Sequence, residues 1–164
     1  GLAAGATGVI TSTISAETVK AEGATGIFAN VDADNAIAEV SETNNTGSAG
    51  FVCPELVCSV VGTTCNPDGT RSYSMTVTNT GTAAAPAFTL RGIGQRPSGA
   101  AVSEGNFAVS GLAPGAIAGP TGATFSASEV SSGISQVKCV ADATNVVGEV
   151  NETNNSGTAV YSCP

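Results

Sequence analysis

Apolar and polar residues alternate with a period of two along most of this chain. That is the spacing of strands that bury one face and wet the other. Tyr73, Met75 and Val77 alternate with Ser72, Ser74, Thr76 and Thr78. Phe88 and Leu90 flank Thr89, and Ala123, Phe125 and Ala127 alternate with Thr124 and Ser126. Val137 and Cys139 flank Lys138, and Ala159, Tyr161 and Cys163 alternate with Val160 and Ser162. Turn-forming clusters separate these runs: Asn66-Pro67-Asp68-Gly69, Asn79-Thr80-Gly81, Pro97-Ser98-Gly99, Ala113-Pro114-Gly115 and Asn155-Ser156-Gly157. Helical spacing is absent. About seven short strands predict an all-β, immunoglobulin-like antiparallel sandwich. They are expected near 55–63 (A), 70–79 (B), 86–93 (C), within 100–110 (a short C′ or D), 121–128 (E), 135–142 (F) and 157–163 (G).

The pattern also recurs. Residues 1–54 align with 111–164 without a gap, at an offset of 110. Gly1-Leu2-Ala3 answers Gly111-Leu112-Ala113, Glu42-Thr43-Asn44-Asn45 answers Glu152-Thr153-Asn154-Asn155, and Cys53-Pro54 answers Cys163-Pro164. A fixed period means tandem units. Residues 54–164 are expected to form one complete unit. Residues 1–53 are expected to be the back half of a preceding one, with strands E near 8–16, F near 25–32 and G near 47–53. Over strand E a one-residue slip is expected, because Ile14 must face the side that Phe125 faces. Three strands cannot shelter a core by themselves, so upstream residues or another subunit are expected to complete this half. Gly1 in place of an initiator Met fits a processed or truncated start.

Composition narrows the function. Charged residues make up 11 % of the chain, the net charge is −8, and His and Trp are absent. The five basic residues, Lys20, Arg71, Arg91, Arg96 and Lys138, are scattered. Nucleic acid needs a basic stripe, and an anionic membrane surface needs basic clusters. Neither is expected as a partner. No apolar run reaches the roughly 20 residues of a membrane span. Without His, nucleophilic triads lack their usual base. The carboxylate pairs Glu39/Glu42 and Glu149/Glu152 come without the aromatic residues that stack sugars. The chain reads as a non-enzyme.

Three segments carry a resemblance: Pro54-Glu55-Leu56-Val57 at the start of strand A, Met75-Thr76-Val77-Thr78-Asn79-Thr80-Gly81-Thr82 at the end of strand B, and Asp142…Glu149…Glu152-Thr153-Asn154-Asn155, repeated as Asp32…Glu39…Glu42-Thr43-Asn44-Asn45. Together they resemble CARDB, the cell-adhesion-related domain of bacteria and archaea. The resemblance covers 54–164 and, in its second half, 1–53. It implies an immunoglobulin-like sandwich, found in tandem on secreted and cell-surface proteins, without catalysis. The cysteines depart from the family pattern.

Cysteines at 53, 58, 65, 139 and 163 form no CxxC motif, and zinc without His would need four thiolates in close pairs. Disulfides, and with them an oxidising compartment, are the better reading than buried thiols. Cys58 shares the inward face of strand A with Leu56 and Val60, and Cys139 that of strand F with Val137, so Cys58–Cys139 would cross the core. If strands A and G end side by side, Cys65 lies near Cys163. Cys53, the copy of Cys163, would then bond a copy of Cys65 outside this chain, and Ala29 stands where Cys139 stands. A local Cys53–Cys58 link is the rival arrangement. Asp32, Asp34, Asn35 and Glu39 gather hard oxygens suited to calcium. The competing reading is that these side chains bond neighbouring loop amides. Asn44, Asn151 and Asn154 open glycosylation sequons. Arg91 and Arg96, in the Gly-rich stretch 91–97, are candidates to meet an acidic ligand. Two functions follow: a structural subunit of an extracellular stalk or filament, with neighbouring copies as partners, or a surface adhesin binding a protein or glycan through its inter-strand loops.

Overall fold

The structure, a computed structural model, describes every residue except 1, 16, 17, 20, 21, 23 and 164. Among the described residues nine strands follow in order: β1 (Gly26–Asn30), β2 (Thr46–Gly50), β3 (Leu56–Cys65), β4 (Arg71–Asn79), β5 (Phe88–Gln95), β6 (Ala101–Val109), β7 (Ile117–Phe125), β8 (Gln136–Val140) and β9 (Ser156–Val160). A short helix, α1 (Ala127–Ser131), lies between β7 and β8. Strands β3-β4-β7 form one antiparallel sheet and β6-β5-β8-β9 the other. This is the immunoglobulin-like sandwich, with β3, β4, β5, β6, β7, β8 and β9 as A, B, C, C′, E, F and G. Inward residues of both sheets make the core: Leu56, Tyr73, Met75 and Val77 from one, Phe88, Leu90, Val137 and Cys139 from the other. Apolar side chains on alternate positions thus meet across the two layers.

Several boundaries differ from the expected ones: β3 runs on to Cys65, β8 stops at Val140 and β9 at Val160, and three further differences stand out. Strand C runs on to Gln95, through Gly92 and Gly94. Those glycines make room rather than a turn: a Cβ on Gly92 would lie 2.5 Å from the Tyr73 hydroxyl, and one on Gly94 2.7 Å from Ile134 Cδ1. Strand C′ is long, not short, pairing with β5 from Phe88↔Val109 to Gln95↔Ala101. Strand E begins at Ile117 and includes Gly119-Pro120. Proline is tolerated there because β7 is an edge strand and its register shifts opposite Thr76. The helix was not anticipated. Ser126-Ala127-Ser128-Glu129 closes a capping box, with Ser126 N donating to Glu129 Oε2 at 2.8 Å and Glu129 N to Ser126 Oγ at 3.3 Å.

Among the described residues of 1–53 only the F and G strands form. They pair with each other as β1–β2, Gly26↔Gly50 to Asn30↔Thr46. The strand expected over 8–16 is absent from the described residues of that stretch. In the complete unit, strand E takes its ladder bonds from β4 alone, and residues 1–53 have no β4. F and G keep each other; E has nothing to pair with. A one-residue offset shows at the end of that stretch, in a capping bond and not in a strand face. Thr18 N donates to Ser15 Oγ at 3.1 Å, the counterpart of Glu129 and Ser126 at an offset of 111.

The first hairpin leaves its inward face bare. Val137, Ala141 and Val147 are 0 %, 1 % and 2 % exposed, while their copies Ile27, Val31 and Ile37 are 47 %, 66 % and 64 % exposed. Same backbone, same residue class, opposite burial: what differs is the front half that covers them.

Candidate functional site at the junction of the two repeats

The three segments that carry the resemblance meet at one end of the sandwich, where the first repeat passes into the second. Asn79, fully buried at the end of β4, organises it. Its Oδ1 accepts from Glu55 N (3.1 Å) and Gly81 N (3.0 Å), and its Nδ2 donates to the carbonyls of Ala83 (2.8 Å) and Leu112 (2.9 Å). Both donors and both lone pairs of the amide are used. The turn that follows packs against the incoming chain. A Cβ on Gly81 would fall 2.4 Å from Cys53 O, so only glycine fits. Thr82 N and Ala83 N donate to that same Cys53 carbonyl at 2.9 and 3.2 Å, and Thr80 N donates to Glu55 O at 2.7 Å.

The loop between β8 and β9 closes over the junction from the other side. Glu149, almost wholly buried, accepts from Leu56 N through Oε2 at 3.0 Å. Burial pushes its carboxyl up to about 7; the Leu56 bond opposes this, and nearby Glu152, Glu55 and Asp142 add to it. Its Oε1 has no hydrogen-bond partner. Glu55 reaches the loop in return: Asn151 N donates to Oε2 at 3.2 Å and Asn154 Nδ2 to Oε1 at 2.6 Å. Glu152 holds the turn, accepting from Glu149 N (3.4 Å) and Asn155 Nδ2 (3.3 Å). Further up, Asp142 takes Val146 N and Val147 N at 3.0 and 2.7 Å. Asp142 and Asn145 both have positive φ, 45° and 56°, the left-handed region that Asp and Asn tolerate.

The first repeat rebuilds the same loop. Asp32 accepts from Ala36 N and Ile37 N, each at 2.9 Å, and Glu42 accepts from Glu39 N at 2.8 Å and Asn45 Nδ2 at 3.4 Å. Asp32 and Asn35 both have φ of 53°. The calcium candidates Asp32, Asp34, Asn35 and Glu39 therefore sit in a loop whose leading carboxylate is given to backbone amides. Among the described residues no group of three or more His, Cys, Asp or Glu is arranged to hold a metal.

The structure joins Cys58 to Cys139 across the sheets and Cys65 to Cys163 at the far end of β3, with Cα atoms 6.1 and 5.7 Å apart. Cys53 remains a thiol. The stretch 91–97 is not a presenting loop. Arg91 lies within β5, its Nε bonded to Asn106 Oδ1 at 2.9 Å and its Nη1 3.5 Å from Glu104 Oε2. Arg96 donates from Nε to Ser132 O at 3.0 Å. Both guanidinium groups are engaged within the domain. Of the sequon asparagines, Asn44 and Asn151 are exposed, whereas Asn154 spends its Nδ2 on Glu55. The roles of Asn79 and Glu149 were missed from sequence. A polar residue at an inward strand position, Asn79 in phase with Met75 and Val77, was the available signal.

A CARDB family model matches residues 53–159. No curated protein matches the chain. Among solved structures, the chain is similar to the CARDB domain of a Pyrococcus furiosus protein, crystallised in complex with di-metal ions. That likeness has 21 % identity and a TM-score of 0.47, covering 67 % of this chain and 93 % of that one. No helix among the described residues is long and apolar enough to cross a membrane. With the strand-A opening, the buried Asn-x-Gly turn and the Glu-x-Asn-Asn loop brought together in one sandwich, the chain belongs to the CARDB family of surface- and adhesion-related, immunoglobulin-like domains.

Proposed function

We propose that the chain is a non-enzymatic structural subunit of an extracellular stalk or filament in which such units stand in series. The observation that carries this reading is the junction. Strand pairing of the first repeat ends at Gly50 and β3 begins at Leu56. The five residues between them are pinned by Asn79, Thr82, Ala83 and the packing of Gly81. Pro54 fixes its own φ and removes a donor. A connection this short and this heavily bonded transmits orientation from one unit to the next, as a rod requires and a flexible tether does not. Two disulfides support an oxidising, extracellular setting. The adhesin reading loses its most distinctive ligand loop, since Arg91 and Arg96 are bonded within the domain.

Electron microscopy and small-angle scattering of the purified chain test the proposal. Elongated particles with one fixed inter-unit angle, or end-to-end fibres, are the expected outcome. Compact monomers with freely varying angles overturn it.

A further inference from the structure

We infer that the bare face of the first repeat seats a front-half segment of the same repeat, of the kind that residues 54–110 form in the second. We infer too that Cys53 bonds a single cysteine carried at that segment's A–B turn. The inference rests on reading the chain as units in series, and it names what completes the first of them.

The first hairpin is built to receive such a segment. Val31 N and Ala141 N each donate at 2.7 Å, to Asn45 O and Asn155 O. Phe51 N and Tyr161 N each donate at 2.9 Å, to Thr25 O and Ser135 O. The two hairpins are therefore held in the same way up to two residues before Cys53 and Cys163. In the second repeat Cys163 finds Cys65 at the end of β3. Ile10, Ile14, Ile27, Val31 and Phe51 line an open groove of about 660 Å³ in the first.

The polar partners are specified as well. Glu39 stands where Glu149 accepts from Leu56 N, and Asn44 where Asn154 donates to Glu55. Ala33 stands where Ala143 N donates to Thr89 O on β5 at 2.9 Å. The occupant must present a strand-A amide, a carboxylate one residue before it and a strand-C carbonyl. Ala29 occupies the place of Cys139, so no cross-core disulfide forms and one cysteine suffices.

In forming the bond, the two thiols lose two protons and two electrons to a small disulfide oxidant. Its S–S bond breaks to two thiols, which take up those protons and electrons, as the new bond forms.

The test joins a copy of residues 54–110, carrying Cys58→Ala, ahead of the full chain. The connection is the one the second repeat uses, Ser110 into Gly111. After refolding with glutathione disulfide, non-reducing peptide mapping should find Cys53 linked to the added copy of Cys65. Titratable thiol should fall from one per chain to none, and binding of a hydrophobic dye should drop severalfold. The same fusion with Cys53→Ser should keep the low dye binding, because the face and not the bond seats the segment. A fusion in which Cys53 stays alkylatable, links elsewhere, or still binds dye or aggregates as the bare chain does overturns the inference. Particle shape plays no part in these readouts, so they stand or fall apart from the stalk.

Discussion

Burying a carboxamide without partners costs about 1–3 kcal/mol per lost bond, so Asn79 is tolerable in the core only because all four of its side-chain bonds are made. Asn79→Ala removes the partner of two amides and two carbonyls at once. We expect it to lower the unfolding free energy of the second repeat by about 3 kcal/mol, read from the midpoint of urea denaturation at unchanged slope. An effect under about 1 kcal/mol would mean that water replaces the side chain and that the junction is not held by it. Glu149 sets a pH dependence. Its carboxyl lies at about 7 in the folded chain against 4.5 ordinarily, so the unfolded chain gives up that proton first. The native state binds more protons in this window, and stability falls as pH rises. The contribution is whole below about pH 4.5, declines between there and about 7, and is lost above, up to about 3 kcal/mol in all. Glu149→Gln, which keeps an acceptor for Leu56 N, should flatten that slope in thermal melts taken from pH 4.5 to 8. A slope unaltered by the substitution assigns it to another group.

At the scale of elements, β5 shows how a sheet residue is chosen by what crosses behind it. Tyr73 stacks on Phe125 with ring centroids 4.9 Å apart, and the pair occupies the volume that side chains at positions 92 and 94 would fill. Gly92→Val should overpack this corner and cost about 1–3 kcal/mol, with the near-ultraviolet dichroism of Tyr73 changed; a melt unmoved by the substitution would show that the ring has room to yield. The same glycines explain what sequence reading reached and what it did not. Alternation located the strands, because one apolar face per strand is a local signal. It also put Cys58 and Cys139 on inward faces, and the structure bonds them. The Gly-rich stretch 91–97 reads from sequence as a candidate ligand stretch because glycine signals both backbone bending and close approach, and only the partner strand tells which. Strand E of the first repeat failed for a related reason: Ile14 has the right phase, yet a strand is stable only beside its ladder partner, and β4 has no counterpart in residues 1–53. At the junction, Glu55, Asn79 and Glu149 were each in quoted motifs, but their convergence depends on a separation of 93 residues between Leu56 and Glu149, which spacing alone does not reveal.

For the molecule as a whole, two hairpins with the same bonding but different cover make an internal control. Val31 N and Ala141 N donate across hydrogen bonds of the same 2.7 Å length, so local geometry gives them no reason to differ in amide exchange. What separates them is the core. Burial of an aliphatic side chain is worth about 1.5–3 kcal/mol, and the first hairpin forgoes that at Ile27, Val31 and Ile37, whose copies are sealed. It also lacks the two disulfides that tie β8 and the chain beyond β9 to β3, each worth about 2–4 kcal/mol where it closes a long loop. Exchange reports the free energy of the opening that exposes an amide, and each 1.4 kcal/mol is about tenfold. The Val31 amide should therefore exchange at least about a thousandfold faster than the Ala141 amide in the purified chain, with β1 and β2 opening together and before any strand of the sandwich. Mass spectrometry of peptic fragments resolves the two repeats. Equal protection of both hairpins would show that the first one supports itself, and with that the need for a covering front half, and the bond from Cys53 to it, would disappear.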